Sequence, residues 1–165
     1  MVLREGRSLA ELPTPVEFDV ARAALVDHRD KALDGLRWEE EGPLALLVWL
    51  PAEGTAGNVD EYLARFTFLY YPKYPPSVTF LNPKTRQYDG SHWPKVAGLS
   101  RIAFSPRYPG TQCGLVCNSM VFEWYFWGGH DPQNDTITWK QGYTFAATIA
   151  EIRDALRPPY YRGVQ

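Results

Sequence analysis

The chain has 165 residues, 17 Lys and Arg against 19 Asp and Glu, and a formal net charge of −2. That length suits one domain over residues 1–165 with a sizeable core, and the near balance of charge excludes the broad field of a nucleic-acid or membrane-surface binder. No apolar run approaches the roughly 20 residues of a spanning helix, and the N-terminal MVLREGRSLAELP lacks the apolar centre of a signal peptide. The only cysteines are Cys113 and Cys117. Two thiols without a secretory signal point to a reducing, cytoplasmic setting rather than a disulfide framework. Aromatic content is high, with six Trp, ten Tyr and eight Phe, which predicts a core filled with large rings.

The first predicted helix opens at Thr14-Pro15-Val16-Glu17. Thr14 suits the cap, Pro15 the first helical position and Glu17 a capping box. Phe18, Ala21, Leu25, Ala32 and Leu36 recur at roughly helical spacing, and the pattern ends near Gly35. Two strands follow, Arg37-Trp38-Glu39-Glu40 and residues 44–50, turned at Gly42-Pro43. A polar loop with Gly54 and Gly57 leads to a third strand over residues 62–70, where Tyr62, Phe66, Phe68 and Tyr70 alternate to mark one buried face. Pro72, Pro75 and Pro76 cannot donate to a ladder, so Tyr71-Pro72-Lys73-Tyr74-Pro75-Pro76 reads as a corner between strands. The run Ser77-Val78-Thr79-Phe80 is the fourth strand. Residues 82–138 are irregular, dense in Gly and Pro. A last helix over residues 144–156 carries the stripe Phe145, Ile149, Ile152 and Leu156 and is stopped by Pro158-Pro159.

A strand, a Tyr-Pro corner running through Pro-Pro, and a strand ending in Val-Thr-Phe resembles the central meander of ubiquitin-conjugating enzymes. The resemblance covers about residues 14–83 and 104–157. It implies an α+β, ubiquitin-conjugating-enzyme-like fold: an N-terminal helix, a four-stranded antiparallel meander, a long active-site loop and a C-terminal helix. Gly114-Leu115-Val116-Cys117 resembles the segment that delivers the family's nucleophile, and Trp139-Lys140 the Trp that precedes a helix. Where the family has His-Pro-Asn this chain has Ser105-Pro106-Arg107. About a score of extra residues (84–103) precede that point, and a similar insertion (118–138) follows Cys117.

The resemblance implies a transferase of a bacterial ubiquitin-like modification pathway. Cys117 would take the C-terminus of a ubiquitin-like protein from an activating enzyme as a thioester and pass it to an amine on a protein substrate, with no cofactor required and no nucleic acid or membrane among its partners. Cysteine suits that task because a thiolate is both a strong nucleophile and a good leaving group. Without the family's asparagine, support of the oxyanion would fall to Asn118, Asn134 or His130, and Asp131 could orient an incoming amine. The plainer alternative for Cys117 is a small packed side chain. Cys113 has no counterpart in the family and reads as packing. His28, on the first helix, reads as a surface or boundary residue.

The same segment supports a second expectation. His92, Cys117, Glu123 and His130 supply a thiolate, a carboxylate and two imidazoles, a donor set that zinc accepts. Bacterial ubiquitin-like gene clusters are thought to include proteins predicted to bind metal through Cys, Glu and His, and this segment is similar to such a family. A non-catalytic accessory protein with a zinc site, or a module that binds a ubiquitin-like protein, is therefore the rival to the transferase. A zinc hydrolase using Glu123 as base is a more distant one. The plain alternative is a solvated Glu123 and a histidine capping the Gly128-Gly129 turn. The aromatic string Phe122-Trp124-Tyr125-Phe126-Trp127 reads either as a docking surface or as a cover that holds the long loop on the sheet.

Overall fold

A computed structural model describes residues 12–108, 114–127, 139–140 and 142–165. Helix α1 (Phe18–Ala32) is followed by strands β1 (Arg37–Gly42), β2 (Ala45–Glu53), β3 (Val59–Thr67) and β4 (Ser77–Leu81). A 3-10 turn (Gly90–His92) and short strands β5 (Pro94–Val96), β6 (Ala103–Ser105) and β7 (Leu115–Cys117) come next. Helices α2 (Phe122–Trp127) and α3 (Phe145–Ala155) and strand β8 (Tyr161–Val164) complete the order. The architecture is α+β, with an N-terminal helix, a four-stranded antiparallel sheet and a helix late in the chain.

The sheet runs β1-β2-β3-β4, every neighbour antiparallel, so it is a plain meander. Leu46 faces Phe66, and Phe66 faces Val78, which sets one apolar row across three strands. Alternation then divides the side chains between two faces. Leu46, Val48 and Leu50 of β2, Tyr62, Ala64 and Phe66 of β3, and Val78 and Phe80 of β4 point to the main core. There they meet Leu25 and Leu33 around α1, and Phe145, Ile149, Ile152 and Leu156 around α3. Leu47, Leu63 and Leu81 form a smaller cluster on the other face, extended by Trp49, over which the Arg37 guanidinium lies 4.1 Å from the ring. Each fully buried Leu, Ile or Phe contributes about 1.5–3 kcal/mol of burial free energy, so the main face carries most of the stability.

The strand of residues 62–70 proves three residues earlier than expected, at the same length. β3 ends at Thr67, while Phe68 and Tyr70 remain buried in the turn that follows. The corner does link neighbouring antiparallel strands. Tyr74 N–H donates to Tyr70 O at 2.9 Å, the Tyr71-Pro72 bond is cis, and the Trp139 indole N–H donates to Pro72 O at 3.0 Å.

The start of α1 departs from expectation. The helix begins at Phe18 with Glu17 at the cap and no side-chain cap bond, and Phe18 is 51% exposed rather than in the core. Val16 N–H is taken by Leu69 O at 3.0 Å, which binds the lead-in to the corner and holds it out of the helix. The remaining stripe holds, since Ala21, Leu25 and Ala32 are buried and Leu36 packs against the core. At the β1 flank of the meander three glutamates have arginine partners. Glu40 meets Arg22 and Arg29 at 3.0 and 2.6 Å, Glu41 meets Arg65 at 2.5 Å, and Glu39 meets Arg86.

Residues 84–103, expected to be irregular, contain order of their own. Leu81 bridges Tyr88, the 3-10 turn follows, and β5 pairs with β8 through Pro94 and Val164. β6 pairs with β7, matching Ala103 to Cys117.

Candidate functional site

Cys117 is the last residue of β7 and not the loop residue that its polar neighbours suggest. The route to it is tightly built. Gly114 has φ 69°, a conformation that disfavours any side chain, and a Cβ placed there would lie 2.5 Å from the Trp93 ring and 3.0 Å from Pro106 Cα. Trp93 is fully buried against Phe80 and Tyr88, and its indole N–H has no acceptor among the described residues. The ring therefore serves as a wall that the chain passes before β7 turns it towards α2.

Partly exposed, Cys117 packs on a cluster made by Tyr70, Leu115 and Phe122, with Tyr74, Tyr108 and Phe126 around it. Tyr70 and Phe122 stack with centroids 4.3 Å apart and planes within 1°. Burial of Phe122 and Trp124 assigns much of the aromatic string to covering rather than to an open surface. That role is legible in the sequence only as composition, because the stacking partner Tyr70 lies on the other side of β4.

Asn118 is 8% exposed and both ends of its amide are engaged. Oδ1 accepts from Met120 N–H at 2.8 Å, while Nδ2 donates to Arg101 O and Glu151 Oε2, each at 3.4 Å. These contacts make it the pivot of the turn from β7 into α2. His130, Asn134, Asp131, Cys113 and the Gly128-Gly129 turn lie outside the described residues.

Glu123 is not a solvated carboxylate. Its side chain reaches the start of β4, where the Ser77 hydroxyl donates to Oε1 and Val78 N–H donates to Oε2 at 3.4 Å. Burial pushes its carboxyl up to about 7, and the two donors only partly oppose the shift because they favour the charged form.

His92 sits at the other end of the same strand. Its Nδ1 is 3.0 Å from Asp89 Oδ2, Asp89 accepts from the Asn82 amide, and the adjacent Tyr88 bridges Leu81. The Ser91 N–H and hydroxyl, the Asn82 amide and the nearby His92 hold the Asp89 carboxyl down at about 2. From Ser77 to Leu81 a strand spans about 13 Å, which puts His92 and Glu123 at opposite ends of β4, while His130 of the same expected zinc set lies outside the described residues. Among the described residues no three His, Cys, Asp or Glu side chains converge into a metal-binding group.

His28 is more than a boundary residue. Its Nδ1 lies 2.5 Å from the hydroxyl of Tyr71, which also accepts Phe145 N–H at 3.0 Å. Burial pushes the Tyr71 phenol up to about 12 despite that backbone donor, so the hydroxyl stays neutral and bridges α1 to the first turn of α3. Nothing in the sequence spacing announces this bridge, because its three members are 43 and 74 residues apart.

Among the described residues no helix is long and apolar enough to cross a membrane. No protein-family model matches the chain, and no curated protein matches its sequence.

Proposed function

We propose that this chain is a ubiquitin-conjugating-enzyme-like protein of the kind found in bacterial ubiquitin-like modification pathways. Cys117 is its acyl acceptor. The observation that carries this reading is the position of Cys117: partly exposed, at the end of a short strand, and set there by a glycine that the Trp93 wall makes obligatory. The order of helix, meander, irregular crossover and helix is in keeping with it.

In the reaction the Cys117 sulfur attacks the carbonyl carbon of a ubiquitin-like C-terminus held as a thioester on an activating enzyme. The enzyme's thiol leaves and takes the proton. An amine of a protein substrate then attacks the new thioester, an amide forms, and the Cys117 thiol is released. The chain supplies the sulfur; nucleotide and activation belong to the activating enzyme.

One observation favours a second reading, a non-catalytic module that binds a ubiquitin-like protein. Asn118, the amide beside Cys117, is spent on its own turn, so it offers no ready donor for an oxyanion.

Intact mass after incubation with activating enzyme, nucleotide and ubiquitin-like protein separates the two. The transferase gains one ubiquitin-like unit, released by thiol. Cys117→Ser converts it to a thiol-resistant ester that forms more slowly, and Cys117→Ala gains none. Undiminished charging of Cys117→Ala would end the catalytic reading, while tight binding of the ubiquitin-like protein with no adduct would establish the second.

A further inference from the structure

A cavity of about 680 Å³ opens between the lead-in to α1, the corner at residues 71–76 and the approach to α3. Cys117 is not among its walls. The volume lies within the range of small-molecule sites. Val16, Val20, Trp139 and Tyr143 give it apolar sides, and Val20 and Tyr143 are held at the surface at 54% and 39% exposure. The Trp139 and Tyr143 rings contact each other with centroids 5.9 Å apart and planes tilted by 39°, one continuous aromatic wall.

Among the described residues the charge at this cavity has one sign. Lys73 and Lys140 line it and no described carboxylate does. Among the described residues neither lysine enters an ion pair. His28 adds an imidazole to the lining. Two ammonium groups beside an aromatic wall complement an anion with a flat apolar body.

We propose that this cavity binds a small aromatic carboxylate, its ring against Trp139 and Tyr143 and its carboxylate between Lys73 and Lys140. The site is independent of the chemistry at Cys117.

Isothermal titration of the full chain with 2-naphthoate tests this, with neutral 2-naphthamide as the matched probe. Naphthoate should bind at a single saturable site, and the amide at least about ten-fold more weakly. The double variant Lys73→Gln/Lys140→Gln should lose at least about ten-fold for naphthoate while its unliganded melting temperature stays the same. Tyr143→Ala, at an exposed position, should weaken both probes. Equal affinity for acid and amide, affinity unchanged in the double lysine variant, or no saturable binding of millimolar naphthoate would each overturn the assignment.

Discussion

The Trp93 ring occupies the space into which a side chain at Gly114 would project, 2.5 Å from where its Cβ would stand. Trp93 cannot move aside without disturbing Phe80 and Tyr88, whose ring centroids are 5.2 and 6.2 Å from its own. Gly114→Ala should therefore cost about 1–3 kcal/mol, combining the penalty of positive φ with overpacking. The measurement is the denaturant midpoint at constant slope. An unchanged midpoint would mean that Trp93 yields freely.

Ile149 is 2% exposed on the sheet-facing side of α3. Truncation to Ala should cost about 2–5 kcal/mol, whereas Asp154→Ala on the exposed side should stay within about 0.5 kcal/mol. Similar losses at both positions would show that the helix face has been misassigned.

Glu123 makes stability depend on pH in an unusual direction for a carboxylate. Its ordinary value of 4.5 is raised to about 7 in the folded chain, so between those values the folded state holds more protons than the unfolded one. The contribution is fully present below about pH 4.5 and is lost as pH rises through 7, a change of up to about 3 kcal/mol. Chemical denaturation from pH 4.5 to 8 should show this decline superimposed on other titrations, and Glu123→Gln should remove it. A variant with the same pH profile as the parent chain would sink the assignment.

Tyr71→Phe removes the hydroxyl that joins His28 to the first turn of α3. Phe145 N–H and His28 Nδ1 would both lose their partner, at a cost of about 1–3 kcal/mol because Tyr71 and Phe145 are fully buried. Hydrogen exchange at the start of α3 should accelerate more than exchange in β2 and β3. Equal protection in both variants would show that the bridge contributes nothing.

The meander was readable from residue order because its signals are local. Alternation at Tyr62, Phe66 and Phe68, three prolines between two β-branched runs, and the stripe of α3 each sit within a dozen residues. The α1 start was misread since Thr14 and Glu17 offered a cap, while the carbonyl that claims Val16 N–H belongs to Leu69, far along the chain. β5 to β8 were hidden for a related reason. Strands of three or four residues have no room for a period, and the partner of Pro94 is Val164. At the candidate site, Cys117 was visible through its Gly-x-x-Cys spacing, but the commitment of Glu123 to Ser77 and of Asn118 to Arg101 depends on contacts across the fold. Composition grouped His92 with Glu123; β4 stands between them.

The two flanks of the sheet are finished by different means. Among the described residues β1 has no neighbouring strand on one side of its backbone, and three consecutive glutamates there, tied to arginines, make the approach of another strand unfavourable. β4, at the opposite flank, is occupied by α2: Phe122 N–H donates to Pro76 O at 3.1 Å and the Glu123 carboxyl takes Val78 N–H. One flank repels and the other is already satisfied. Edge-to-edge growth of the sheet, the common route from an open meander to aggregates, is thus blocked at both ends, and a partner that docks by adding a strand would first have to displace α2.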